Sequence, residues 1–230
     1  MTTPYGIIGD GRAATHFARY LSLAKIPHRQ WSRKKSVETP ERALRGCRTL
    51  LVLIKDSAIE PFLRAHPSLA AQRPVQFSGS LATPLAAGAH PLAAFGSRPF
   101  TLSEYERIHF VSEEGGPSFG ELFPRLKNPS SALAKELKPY YHALCVLSGN
   151  FSTLLWQKLF KESARTLGLP RSAVAAYLDC VCQNIGHDPD AALSGPLSRG
   201  DDETLRRGLA ALSGDPMKSV YEAFARCPRL

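Results

Sequence analysis

The sequence predicts an α/β architecture: a doubly wound, mostly parallel sheet in the first half and an all-helical second half. Three observations lead there. An apolar pair, Ile7-Ile8, feeds a Gly9-x-Gly11-x-x-Ala14 turn, after which Ala14, Phe17, Ala18 and Leu21 recur at helical spacing. Apolar runs then alternate with helical segments, the order that covers both faces of a sheet. Beyond a Gly-, Pro- and charge-rich stretch at 113–129, strand-like runs vanish and helical spacing dominates. A first domain is therefore expected over 1–128 and a second over 129–230.

Strand, glycine turn and helix start are the arrangement that sets a pyrophosphate on a helix N-terminus. Gly9 permits the tight turn, Gly11 keeps a Cβ out of the phosphate's way, and Ala14 lets helix pack closely on strand. Asp10, Arg12 and Ala13 fill the turn between them. Lys25-Ile26-Pro27 ends the helix, and His28-Arg29-Gln30-Trp31 reads as the second strand. A residue that reads the ribose belongs about 20 residues past the turn. Ser32-Arg33-Lys34-Lys35 stands there. A carboxylate would accept from the 2′-OH of NAD. A hydroxyl and three cations suit the 2′-phosphate of NADP instead, with NAD the less favoured ligand.

Glu41 to Arg45 is a short amphipathic stretch, and Thr49 to Ile54 is an apolar run of the kind buried on both faces. Lys55-Asp56-Ser57 follows, with Asp56 or Ser57 expected to cap the helix carrying Ile59, Phe62 and Leu63. Pro74 to Phe77 is the next strand, running into Ser78-Gly79-Ser80 and then a helix-like Ala/Leu segment. Arg107 to Val111 is another strand. Gly9-Gly11, Ser32-Arg33, Lys55-Asp56 and Ser78-Ser80 thus all fall at carboxyl ends of strands, where open α/β sheets bind their ligands. Helices are expected over about 131–167, from Ser172 to Ile185, from Asp202 to Leu212 and from Pro216 to Arg226.

A hydrophobic fraction of 43% supports a real core. No apolar run approaches the roughly 20 residues that span a bilayer, so no membrane partner is expected. Met1-Thr2-Thr3-Pro4 has no charged n-region, and cytoplasm is the default. The five cysteines are odd in number and scattered, which argues for buried thiols over a disulfide framework. Cys180-x-Cys182 falls in a helical pattern, where the two side chains diverge, so no metal site is expected. The net charge of +9 is concentrated between Lys25 and Arg48. That cluster adjoins the glycine turn, holds Trp31 as its one aromatic and lacks any recognition-helix or RNP pattern, so nucleic acid is not the expected partner.

In the helical half, His142 and Asn150 lie about 80° apart at about 100° per residue, so both can border one cleft. Gly149 costs about 0.5–1 kcal/mol in a helix relative to Ala, which a close backbone, a ligand or a helix contact would explain. Asp201 can cap the helix after the Gly195-Pro196-Leu197-Ser198-Arg199-Gly200 loop, and Arg199 can fork onto a carboxylate, or the loop can be purely structural.

Gly9-x-Gly11-x-x-Ala14, Trp31-Ser32-Arg33, Ile54 to Ile59, Phe77 to Ser80, His90-Pro91-Leu92, Tyr141-His142-Ala143 with Asn150, and Gly195-Pro196-Leu197-x-Arg199-Gly200-Asp201 together carry a resemblance. The chain resembles Rossmann-like proteins with a DUF2520 domain, relatives of ketopantoate reductase, pyrroline-5-carboxylate reductase and the β-hydroxyacid dehydrogenases. The resemblance implies an N-terminal NADP-type Rossmann domain and a helical domain that commonly forms homodimers. In ketopantoate reductase a catalytic lysine sits two helical turns before an asparagine, and His142 and Asn150 match that spacing. Histidine replaces lysine here, so the resemblance carries the position and leaves the reaction open. The expectation is an NADP-dependent reductase of C=O or C=N in a small anionic substrate. His142 would be its acid, Asn150 a positioning group and Arg199 the anion clamp. A nucleotide-binding sensor that does no chemistry is the alternative.

Overall fold

The computed structural model describes residues 4–227. Met1, Thr2 and Thr3, read above for a leader, lie outside them. The chain divides into two compact units, Met1–Ser152 and Thr153–Leu230.

The first unit is built on seven strands: β1 (Tyr5–Ile8), β2 (His28–Trp31), β3 (Thr49–Val52), β4 (Pro74–Gln76), β5 (Ala87–Pro91), β6 (Phe110–Glu113) and β7 (Ser130–Leu133). Their order is β2-β1-β3-β4-β5-β6-β7, with every neighbouring pair parallel except β5 and β6. The helices are α1 (Arg12–Leu23), α2 (Pro40–Ala43), α3 (Asp56–Ala65), α4 (Leu102–Glu106), α5 (Phe119–Leu122) and α6 (Lys138–Cys145).

Side chains alternate across a strand, and here the alternation sorts them into two cores. Tyr5, Ile7, Leu51 and Val75 pack with Phe17, Tyr20 and Leu21 of α1 on one face. Ile8, Leu50 and Val52 pack with Leu44, Ile59 and Leu63 on the other. Both faces of β1 and β3 are buried, which is why these strands read as continuous apolar runs. β2 lies at the sheet's edge and is half exposed.

Four sequence expectations need correction. The Ala/Leu segment after Ser80 holds no helix and leads into β5. Its Ala and Leu content favours a helix, but Pro84 and Gly88 interrupt it. Gly88 also leaves room for Glu113: a Cβ there would stand 2.3 Å from Glu113 Oε1, which would have to shift. Residues 130–133, the last three of them expected to be helical, form β7 beside β6, so the sheet runs past residue 128 and the first compact unit reaches Ser152. Asp56 does not cap α3; it is the first helical residue, and its carboxylate is turned to Ser78. Finally, of the five thiols only Cys47 is buried, and Cys180 and Cys182 are exposed.

α6 continues as a π-turn over Val146–Phe151 and then as α7 (Ser152–Glu162). The second unit holds most of α7, a further π-turn at Ser163–Leu167, α8 (Arg171–His187), α9 (Gly195–Arg199), α10 (Asp202–Ala211) and α11 (Lys218–Arg226). As expected, Asp201 caps α10, accepting from Thr204 N at 3.0 Å. Lys158 of α7 pairs with Asp215 at 2.5 Å. Gly208 leaves room for Tyr221, whose hydroxyl would stand 2.4 Å from a Cβ at 208. Among its described residues Val174 is the one buried apolar side chain, whereas Leu154 is 55% and Tyr177 59% exposed. Among the described residues no helix is long and apolar enough to cross a membrane.

Candidate functional site

One cleft of about 830 Å³ runs along the carboxyl ends of β1 to β4. Its wall includes Gly9, Asp10, Gly11, Arg12, Ala13, Ser32, Arg33, Lys34, Lys55 and Ser78, so ten of the residues expected from sequence share one cavity. Ala14 stands behind it, fully buried between α1 and the sheet.

The glycine turn is held from two sides. Gly9 has φ +123°, and a Cβ would meet the Leu53 carbonyl oxygen at 2.3 Å, so no other residue fits. Gly9 N donates to Trp31 O at 2.9 Å, and Gln30 Nε2 donates to Gly9 O at 2.8 Å. Gly11 differs: its φ is −74°, open to any residue, and a Cβ would enter open space. What glycine preserves there is room in the cleft. Gly11 also caps α1 without a side-chain acceptor, which leaves the first N–H groups of a 12-residue helix open to an anion.

At the end of β2, Ser32 is only 5% exposed, and its hydroxyl is buried with no hydrogen-bond partner among the described residues. A buried polar group left unpaired costs roughly 1–3 kcal/mol, so this hydroxyl calls for an acceptor from outside the chain. Arg33 and Lys34 line the cleft beside it, and among the described residues neither takes part in an ion pair. Trp31, Phe62 and His66 form an aromatic wall nearby, with ring centroids 5.7 and 4.6 Å apart. His66 is oriented by Glu41, its Nδ1 2.6 Å from a carboxylate oxygen.

The opposite end of the cleft is polar in a different way. The Ser78 hydroxyl donates to the Asp56 carboxylate and accepts from Ser80 N at 3.2 Å and Leu81 N at 2.9 Å. It is therefore committed to the chain, and Asp56 is the group this end presents. Immediately behind it, His142 packs on Gly79. Its Nδ1 is buried and has no hydrogen-bond partner among the described residues. His90 meets His142 edge-on at 5.7 Å, and its Nδ1 lies 2.8 Å from Tyr141 Oη. Burial, then the neighbouring His142 and Lys138, push the His90 imidazole down to about 4, opposed by Asp56. Burial and a hydrogen bond to Cys145 push the Tyr141 phenol up.

His142 and Asn150 do not line the cleft. His142 stands in α6 and Asn150 inside the π-turn at Val146–Phe151, so the regular helical step that sets them about 80° apart does not apply. Asn150 is exposed and His142 half-buried. Among the described residues nothing lies within 4 Å of where a Cβ on Gly149 would stand, and that glycine sits inside the π-turn, where the regular ladder is already broken. Arg199 closes α9 in the second unit. Sequence reasoning placed Asp56 at a ligand-facing strand end but gave it no role beyond a helix cap, and it missed His90, Gln76, Glu113 and Lys138 as groups near the cleft. Asp56 was legible as a carboxylate at a strand exit; the pairing of Glu113 with Lys138 across 25 residues was not.

A family model described as "Domain of unknown function (DUF2520)" matches residues 112–227, just over half of the chain. No curated protein sequence matches significantly. Among solved structures, a candidate NADP oxidoreductase of Bacteroides fragilis is similar at a TM-score of 0.79 and 20% identity, over 98% of this chain and 97% of that one. Pyrroline carboxylate reductase of Plasmodium falciparum, solved with NADP bound, follows at 0.62 and 13%, over 97% and 95%. A reductive aminase of Aspergillus terreus, in complex with NADPH and ethyl-5-oxohexanoate, stands at 0.58 and 18%, over 100% and 96%. At these identities the likeness is one of fold, and that fold is Rossmann-like. By its family match, the chain belongs to the DUF2520 domain family.

Proposed function

We propose that the cleft binds NADP(H) and that the protein is an oxidoreductase reducing C=O or C=N in a small anionic substrate. One observation carries this reading: the buried Ser32 hydroxyl, and Arg33 and Lys34, none of them paired among the described residues, share a cavity with the start of α1, which has no side-chain cap. These donors fit a dinucleotide that carries a third phosphate. Ser32, Arg33 and Lys34 would hold the 2′-phosphate, and Gly9 to Ala13 the pyrophosphate. That NADP or NADPH is bound in the Plasmodium and Aspergillus structures supports the choice of cofactor.

When bound, NADPH would supply a hydride. The chain's own task is then to hold a proton and orient the substrate. His142, next to the Asp56–Ser78 end of the cleft, is the proposed acid, acting from its imidazole. Asn150 is the proposed positioning group, and Arg199 the proposed clamp for a substrate anion. The exposed apolar side chains of the helical unit support a homodimer formed through it.

The test has two parts. NADPH and NADH are titrated against wild type and Arg33→Ala; equal affinity for both, or no loss in the variant, refutes the 2′-phosphate assignment. A reductase screen over 2-oxo acids and cyclic imines then compares wild type with His142→Ala, and equal turnover removes His142 from the chemistry. A second reading, a dinucleotide sensor without chemistry, draws on the absence of His142 and Asn150 from the cleft wall. It requires tight NADP binding with no hydride transfer to any substrate in the screen.

A further inference from the structure

Beneath the Ser78–Leu81 turn lies a charged pair that neither the fold nor the cleft wall accounts for. Lys138 Nζ donates to Glu113 Oε1 at 2.5 Å, and the two side chains are 5% and 7% exposed. Stability alone is a poor reason for such a pair. Desolvating two charges costs several kcal/mol per ion, and apolar replacements are often neutral or stabilising. Lys138 is also the first residue of α6, where the helix dipole disfavours a cation.

The connections of the pair are specific. Gln76 Nε2 donates to Glu113 Oε1 at 3.3 Å and to Leu81 O at 2.9 Å. With its amide nitrogen committed to those two acceptors, Gln76 must turn Oε1 toward Ser78, whose N–H donates to it at 2.7 Å. Glu113 thereby selects the one amide orientation that closes the turn at both ends. On the same helix, one turn beyond Lys138, His142 lies against Gly79 inside that turn. α6 therefore grips residues 78–81 twice, once through Lys138, Glu113 and Gln76, and once through His142.

We propose that the Lys138–Glu113 pair is a positioning device: it sets the Ser78–Leu81 turn at one end of the cleft and holds His142 against it. What occupies that end rests on the dinucleotide reading; the positioning of His142 does not. If Arg33 and Lys34 hold the 2′-phosphate, the other end of the cleft, at Phe77 and Ser78, receives the half of the dinucleotide farthest from it.

The test uses the double variant Glu113→Gln/Lys138→Met, which removes both charges and leaves neither buried alone. Two readouts are independent: the imidazole nitrogen NMR signals of His142 in ligand-free protein, and the affinities for NADPH and for 2′,5′-ADP. The latter fills only the phosphate end. The expected result is a changed His142 spectrum, unchanged 2′,5′-ADP affinity and an NADPH affinity lower by about fivefold, the worth of roughly one hydrogen bond. An unchanged His142 spectrum overturns the proposal. Should the double variant fail to fold, Gln76→Leu cuts the link while keeping the pair, and an unaltered His142 spectrum in it is equally decisive. If wild type binds neither nucleotide, the dinucleotide reading fails, and the His142 spectrum still decides the positioning.

Discussion

His142 occupies the space that a side chain on Gly79 would need. A Cβ on Gly79 would stand 2.3 Å from His142 Nδ1 and 2.9 Å from its Cγ. The glycine is required by this contact, since Gly79 carries no left-handed backbone. Gly79→Ala must therefore displace the imidazole. Overpacking of this kind costs about 1–3 kcal/mol. Urea unfolding is expected to show a loss in that range, with a shifted His142 imidazole spectrum. A loss of stability with an unmoved His142 would contradict the contact.

Ser32→Ala should act with opposite signs on stability and on binding. In the ligand-free protein it removes a buried hydroxyl that has no partner among the described residues, so unfolding free energy should hold steady or rise by about 1 kcal/mol. NADPH affinity should fall at the same time. A variant that is destabilised without ligand would show that the hydroxyl is already satisfied within the chain.

His90 makes stability depend on pH in a predictable direction. Its imidazole titrates near 4 in the folded chain and near 6.5 when unfolded. Between those values the unfolded state binds more protons, so stability rises with pH and is lost as pH falls from about 6.5 to about 4. The difference amounts to at most about 3 kcal/mol. Carboxylates titrate in the lower part of this window, so the readout is the difference between wild type and His90→Asn. The variant should show the shallower slope across pH 4–6.5, and equal slopes would mean that His90 is not held neutral by its surroundings.

The helical unit's exposed apolar side chains predict association. Wild type should sediment as a dimer, and Leu154→Glu together with Tyr177→Glu should yield monomers without lowering the unfolding free energy of the sheet unit. A monomeric wild type at micromolar concentration would remove the homodimer proposal.

The parts of this molecule that were legible in sequence are those governed by local rules. The glycine turn, the strands buried on both faces and the cap at Asp201 all follow from spacing and residue type. The cleft's phosphate end was equally legible, because Ser32, Arg33 and Lys34 directly follow a strand. β5 was not, because an Ala/Leu-rich run carries helical propensity, and only a distant carboxylate, Glu113, favours the glycine at position 88. β7 was lost for a similar reason: three of its four residues are exposed, so no buried alternation marks it. The His142/Asn150 geometry rested on a regular helix, and Asn150 lies inside a π-turn. The Lys138–Glu113 pair joins residues from a strand and a helix that no periodicity connects.

The most direct measurement is the ratio of NADPH to NADH affinity in wild type and in Arg33→Ala, by calorimetric titration at fixed ionic strength. A 2′-phosphate site at Ser32-Arg33-Lys34 predicts that wild type prefers NADPH. It also predicts that the variant loses about 10- to 100-fold in NADPH affinity, the worth of a charge-assisted hydrogen bond at about 1.5–3 kcal/mol, while NADH binding is unchanged. Equal affinities in wild type, or an NADPH affinity untouched by Arg33→Ala, would contradict it.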